Sequence, residues 1–260
     1  MKLKKTSYLV PAIFGLLALH APDAGAATSS VLISRPNSHG KSLTTPVAWG
    51  AANNVVFMGV GGTAPSPYSS KSDGAAVVGV GIGDPKELGV QVSLISLDIS
   101  SWTEYSTSLH LFRDLGNGDA IGVGVENVML TNGGDADESF YVVYSSGVQD
   151  ESVVNKATKS TKLHYSIGAG TGRFRDKSAE DIRDGKGDHG TYVFGNIAYE
   201  VAQSFNVITD WNGLNLNAGV SKSFSIGNIP FGVTVGLADL TKNSGDGVRL
   251  IGAAGFGFKL

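Results

Sequence analysis

Side chains in this sequence alternate at period two in one segment of about ten residues after another, and no other feature limits the fold as much. Val78, Val80 and Ile82 fall on one side of an extended segment, and Val77, Gly79, Gly81 and Gly83 on the other. Leu163, Tyr165, Ile167 and Ala169 oppose His164, Ser166, Gly168 and Gly170. Leu214, Leu216, Ala218 and Val220 oppose Asn215, Asn217, Gly219 and Ser221, and Phe231, Val233, Val235 and Leu237 oppose Gly232, Thr234, Gly236 and Ala238. Successive strand residues point to opposite faces, so each segment has one apolar face and one small or polar face. A soluble sandwich also alternates, but its polar face meets water. Glycine and alanine on that face fit a crowded interior better.

Strands are expected near 54–63, 74–83, 88–99, 105–114, 120–130, 139–148, 161–173, 191–201, 205–212, 214–222, 230–240 and 247–260. The number is even, as in bacterial outer-membrane barrels. Asp84-Pro85-Lys86-Glu87, Gly116-Asn117-Gly118-Asp119 and Ala202-Gln203-Ser204 are tight turns. Segments 64–73, 131–138, 174–190 and 241–246 are longer and polar. Two connections fit this alternation poorly: 149–160 is long for its side, and Asn212-Gly213 is short for its own. One strand breaks phase. Val90, Val92 and Leu94 agree with each other, but Ile95, Leu97 and Ile99 do not. Either a β-bulge near Leu94 restores the register, or the strand is buried on both faces against a plug or second layer.

Lys2, Lys4 and Lys5 precede an apolar run from Tyr8 to Leu19, and Ala24-Gly25-Ala26 follows as a small-x-small site. This is the pattern of a secretory signal peptide over 1–26. Its removal takes the formal charge from −3 to −5, which argues against nucleic acid as a partner. The chain has no cysteine, hence no disulfide, no thiolate chemistry and no lipoprotein anchor. After the leader no run reaches the roughly 18–20 apolar residues of a membrane helix. A membrane-embedded mature protein must then be a closed barrel, because only helices and closed barrels satisfy the backbone in lipid. Residues 53–260 are assigned to that barrel. Residues 27–52, with Pro36, Pro46 and Trp49, form a periplasmic segment or a plug, and a mobile tail is the simpler expectation.

Candidate chemistry is sparse. Gly79-Val80-Gly81-Ile82-Gly83 lacks the spacing of a dinucleotide loop. Asp135, Asp137 and Glu138, and Asp181, Asp184 and Asp188, form acidic loops expected to be solvated, since neither matches a calcium loop. No metal site or cofactor is expected. The inward candidates are His110, Glu126, His164, Glu200, Asp210, Arg249 and Lys259. They either pair across a narrow lumen or line a polar path, and pairing is favoured. Tyr199, Phe205, Phe231 and Phe258 fall near one set of strand ends, and Trp102, Tyr192 and Trp211 near the other, as membrane-interface aromatics do.

The last eight residues, Ala253 to Leu260, resemble the closing strand of outer-membrane β-barrels of Gram-negative bacteria. Gly255, Phe258 and Leu260 fit the insertion signal of that group, while Ala253 stands at its polar position and the final residue is not Phe. His164-Tyr165-Ser166 resembles the His-x-Ser pair of outer-membrane phospholipases and lipid A deacylases. In those families the pair faces lipid; here alternation turns His164 and Ser166 inward. Gly168 to Phe174, Phe194 to Glu200 and Asp210 to Gly213 resemble YjbH-like barrels, which are associated with exopolysaccharide gene clusters. That likeness covers 160–220 and carries over no catalytic residue.

The expectation is therefore an all-β, antiparallel transmembrane β-barrel of about twelve strands in the outer membrane. It would be a narrow, porin-like pore or an export- or envelope-associated scaffold without catalytic activity. Its partners would be outer-membrane lipid and the barrel-insertion machinery, and its solute is not named by any residue. The alternatives are a lipid hydrolase using His164 and Ser166, and a secreted soluble β-sandwich.

Overall fold

The computed structural model describes residues 40–100, 102, 104–131, 138–156 and 160–260. The signal peptide expected over 1–26, residues 27–39, Asp135 and Asp137 lie outside the described residues. Within them the chain forms β1 (Val55–Ala64), β2 (Asp73–Asp84), β3 (Leu88–Ser96), β4 (Tyr105–Gly116), β5 (Asp119–Met129) and β6 (Ser139–Gly147). A two-residue hairpin follows, β7 (Val154–Asn155) and β8 (Ser160–Thr161). Then come β9 (Leu163–Gly170), α1 (Ala179–Arg183), β10 (Val193–Ala202), β11 (Phe205–Trp211), β12 (Leu216–Ile226), β13 (Ile229–Ala238) and β14 (Arg249–Lys259). All except β7 and β8 belong to one antiparallel barrel in chain order. β1 closes it on β14 with an unbroken register from Val55↔Lys259 to Ala64↔Leu250. Closure removes both free sheet edges and overturns the two-sheet sandwich.

Alternation sorts the side chains as the sequence predicts. Val78, Val80 and Ile82 face outward, as do Tyr165, Ile167, Val233, Val235 and Leu237. Val77, Gly79 and Gly81 face inward, and so do His164, Ser166, Thr234 and Gly236. The outer wall is apolar and the inner wall small or polar, the reverse of a water-soluble β-protein. A continuous apolar belt of this size is stable against hydrocarbon, not water. The fold is a transmembrane β-barrel.

One rim carries the short turns after β2, β4, β10 and β12, together with residue 54 and the chain end. The other carries 65–72, 97–100, 102, 104, 130–131, 138, 171–192, 212–215 and 239–248. In the long connection at the short-turn rim, described over 149–156 and at 160, the Asp150 side chain caps a 3₁₀ turn, Glu151–Val153, and β7 pairs with β8. The short 212–215 link is an Asx turn, with Asn212 Oδ1 accepting from the N–H groups of Leu214 (2.9 Å) and Asn215 (2.7 Å).

The expected bulge near Leu94 does not exist. β3 keeps an unbroken register with both β2 and β4. The phase breaks for the other reason: Ile95 and Leu97 are apolar and face inward, packed with Val77, Phe57, Ala75 and Ala51. The bulges lie instead between Thr107 and Leu109 and between Asp114 and Gly116 on β4, and between Glu200 and Ala202 on β10.

Candidate functional site

The lumen is filled by the chain's own residues 40–52. All but Val47 are buried, and their partners come from strands around the whole circumference. The segment starts near the short-turn rim, where Ser221 Oγ donates to the Gly40 carbonyl (2.6 Å) and Lys41 Nζ to Asn206 Oδ1 (2.6 Å). It rises to a turn at Ser42–Thr45. There Ser42 Oγ donates to the Thr45 carbonyl (2.6 Å) and accepts from the Thr45 N–H (3.1 Å). It then descends past Ala48 and Ala51 to β1. This corrects the mobile-tail expectation for residues 40–52.

Asp210 holds the apex. Its carboxylate accepts from the N–H groups of Leu43 (3.1 Å) and Thr44 (2.6 Å), from Thr44 Oγ1 (3.1 Å) and from Asn217 Nδ2 (2.7 Å). Buried N–H groups need such acceptors. Beside it, Leu43 is 1% exposed and fills an apolar socket of Ala198, Ile208, Ala238 and Ile251, a burial worth about 1.5–3 kcal/mol. On the descending limb Ala48 N–H donates to Ser145 Oγ (2.8 Å), and Ala51 N–H donates to Gln91 Oε1 (2.7 Å). His110 Nε2 lies 3.1 Å from the Ala48 carbonyl, and the Tyr141 hydroxyl 2.9 Å from Nδ1. A carbonyl only accepts, so the assigned tautomer has Nε2 donating and Nδ1 accepting from Tyr141. The inward glycines make room: a Cβ at Gly81 would strike the backbone of Ala51.

The predicted lumen residues all face inward, each less than a tenth exposed, except Lys259, which is exposed at the mouth. None pairs with another of the set. Glu126 takes Arg173 (2.6 Å), whose Nη1 also donates to the Thr44 carbonyl (2.8 Å). Arg249 takes Asp239 (2.7 Å) and Thr63 Oγ1 (3.0 Å). Glu200 accepts from Asn155 Nδ2 at 3.4 Å. Sequence reasoning named neither Arg173 nor Asp239 as a lumen ion. Arg173 lies past the end of β9, in a 3₁₀ turn (Gly172–Phe174) that brings it back over the mouth. Asp239 follows an inward Ala238, and a φ of 59° turns it inward as well.

His164 and Ser166 are both inward, but they are not joined. Ser166 Oγ lies 2.7 Å from Ser145 Oγ, the group that holds Ala48. Neither His164 nitrogen has a partner among the described residues. The ring stands edge-on to Trp49, with 5.9 Å between centroids.

At the long-loop rim, Asp181 is not the solvated loop carboxylate that the sequence suggests; its side chain is 1% exposed. It clasps three loops, accepting from Tyr68 Oη (2.6 Å), Ser244 Oγ (2.6 Å), the Gly245 N–H (2.8 Å) and Lys186 Nζ (3.2 Å). Burial would raise this carboxyl, but these four bonds outweigh it and hold it at about 2. Burial, with the bond to Asp181, pushes the Tyr68 phenol up to about 12.

The aromatics occupy both ends. Phe224 stacks on Phe231 near the short-turn rim, with 5.8 Å between centroids, and Phe256 packs against Phe231 at 5.3 Å with its ring tilted by 33°. Phe258 and Tyr199 are exposed at that end, and Phe205 is half-buried. Trp102 and Tyr192 are exposed at the long-loop end, where Trp211 Nε1 donates to Thr191 Oγ1 (2.8 Å). Phe258 and Leu260 are exposed, while Gly255 faces inward.

No protein-family model and no curated protein matches the chain. Among solved structures it is similar to the KdgM porin, with 9% identity, a TM-score of 0.48, and coverage of 79% of this chain and 99% of that one. It is also similar to the KdgM porin in complex with disordered oligogalacturonate (10%, 0.47, 79% and 99%) and to outer membrane phospholipase A from Escherichia coli (10%, 0.44, 79% and 96%). The likeness is one of architecture and goes no further.

Proposed function

We propose that this chain is an outer-membrane barrel of the pore type, without catalytic activity, whose narrow lumen is held shut by its own residues 40–52. The observation that carries this is the way the segment is held. Seven of its main-chain groups bond to side chains of the wall and of Arg173, bonds that water can replace, while Leu43, Trp49 and Ala51 seat it among the apolar clusters inside the wall. A barrel of twelve strands is wider than the eight-stranded kind that side chains alone can fill. Here a chain segment completes the filling. The short-turn rim faces the periplasm and the long loops face outward, with the two aromatic sets at the membrane interfaces and Gly255, Phe258 and Leu260 serving insertion. The lipid-hydrolase alternative has no support in the bonding of His164 and Ser166.

Planar-bilayer conductance tests this. Wild-type protein should open rarely, and a Leu43→Asp/Trp49→Ala variant, which loosens the segment and leaves the wall intact, should conduct steadily. Heat-modifiable gel migration verifies that the variant is an assembled barrel. An assembled variant with its segment released but no conductance would make the protein a scaffold and end the pore proposal. Protease added to whole cells should cut between Arg183 and Asp188; cleavage only after permeabilisation would invert the topology.

A further inference from the structure

The wall around residues 40–44 holds a length of main chain by a fixed order of donors and acceptors. Ser221 Oγ donates to the Gly40 carbonyl (2.6 Å). Lys41 Nζ donates to Asn206 Oδ1 (2.6 Å), and the Glu200 carboxylate is near enough to attract the ammonium. One oxygen of Asp210, Oδ2, accepts from the consecutive N–H groups of Leu43 (3.1 Å) and Thr44 (2.6 Å). Arg173 Nη1 donates to the Thr44 carbonyl (2.8 Å). Ser42 Oγ turns back instead to the Thr45 carbonyl of its own segment (2.6 Å).

Three features define what fits this stretch of wall once the segment leaves it. Ser221, Asp210 and Arg173 bond to main-chain groups, which every peptide carries, so these contacts do not require the segment's own sequence. The socket of Ala198, Ile208, Ala238 and Ile251 is wholly aliphatic. It suits a leucine-sized side chain and penalises a sugar hydroxyl, which would find no partner in it. Release of the segment also removes the Lys41 ammonium from beside Asn206 and Glu200, and a basic side chain restores it. The wall thus offers one place for a cation and, two positions later, one for an aliphatic group. The position between them is left to the ligand.

We propose that the lumen is a binding site for short unfolded peptides with a basic residue two positions before an aliphatic one, which residues 40–44 occupy as an internal surrogate. This rests on the reading that the segment can leave the lumen, but not on conduction. Fluorescence anisotropy in detergent micelles tests it on the full-length Leu43→Asp/Trp49→Ala barrel, with fluorescein-labelled Ala-Lys-Ala-Leu-Ala as the probe. The probe should bind saturably to this barrel and far less to wild type, whose tethered segment competes at an effective concentration on the order of millimolar. Ala-Lys-Ala-Asp-Ala should compete at least about tenfold more weakly than the unlabelled probe peptide, the scale of one buried leucine side chain. Maltopentaose should not compete. Ala238→Leu in the same barrel fills the vacated socket without touching a charge and should weaken the probe by a similar factor. Binding that maltopentaose or Ala-Lys-Ala-Asp-Ala reverses as well as the probe peptide, or that is unchanged in an assembled Ala238→Leu barrel, would overturn the assignment. So would the absence of binding in a barrel whose Thr45→Cys thiol labels freely with maleimide; that result would leave the occluded pore standing. A thiol that stays protected there would instead refute the releasable segment, and the peptide site with it.

Discussion

Replacing Asp210 with Ala should release the luminal segment. The substitution removes the acceptor of two buried N–H groups, those of Leu43 and Thr44, at the apex of the turn. It also strips Asn217 Nδ2 of one of its two acceptors, leaving Thr44 Oγ1. An unsatisfied buried donor costs about 1–3 kcal/mol, so the two N–H groups together cost about 2–6 kcal/mol. Water entering the loosened lumen would favour the low end, and about 2 kcal/mol shifts the docked-to-released ratio roughly 30-fold. The chain has no cysteine, so a Thr45→Cys probe at the apex reports release through its maleimide labelling rate. With docking in fast exchange, the Asp210→Ala background should raise that rate by about 30-fold or more. Asp210→Asn keeps one oxygen and should give a smaller rise. Assembly is verified separately by heat-modifiable migration, because the change lies in a strand. An assembled Asp210→Ala barrel in which the Thr45→Cys thiol labels at an unchanged rate would refute the idea that this carboxylate latches the segment.

Other outcomes follow from the same geometry. Removing Phe258 to Leu260 deletes the pairing opposite Val55 and Val56 and the bond from the Leu260 N–H to the Asn54 carbonyl (2.9 Å). The barrel should then be missing from the outer-membrane fraction, and normal levels would contradict its closing role. Val235→Arg places a charge in hydrocarbon at about 2–4 kcal/mol near mid-bilayer and should cut the assembled fraction. Thr234→Arg faces the lumen beside Gly40 and Ser221; it should assemble but expel the segment, seen as faster labelling of the Thr45→Cys probe. Equal assembly of both variants would mean the register is wrong. The Asp181 carboxyl is held at about 2, down from 3.8. A depressed acid stabilises above its unfolded value, so the loop clasp should be complete above about pH 4 and fail as pH falls through about 2. Protease sensitivity of 183–188, followed with an acid-stable protease, should rise across that window, and Asp181→Asn should abolish the pH step.

The strands and their faces were legible because period two is a local property. Neighbouring residues of a strand must diverge, and Val78 against Gly79 or Ile167 against Gly168 shows the divergence without knowledge of the rest of the chain. The glycines on the inner face even signalled crowding, though not what crowds them. Everything that depends on two distant pieces of chain was decided by the tertiary structure. Residues 40–52 have no periodicity, and their place follows from acceptors and donors on Asp210, Ser145, His110 and Gln91, which come together only when the barrel closes. Ile95 and Leu97 break the alternation because that segment gives them an apolar neighbour inside. Arg173 reaches Glu126 and Thr44 from beyond a strand end, and Asp239 turns inward through one left-handed residue. Alternation ends where a strand ends, so the sequence determined a two-faced wall, while the ions and the segment that fill it were set by closure of that wall around them.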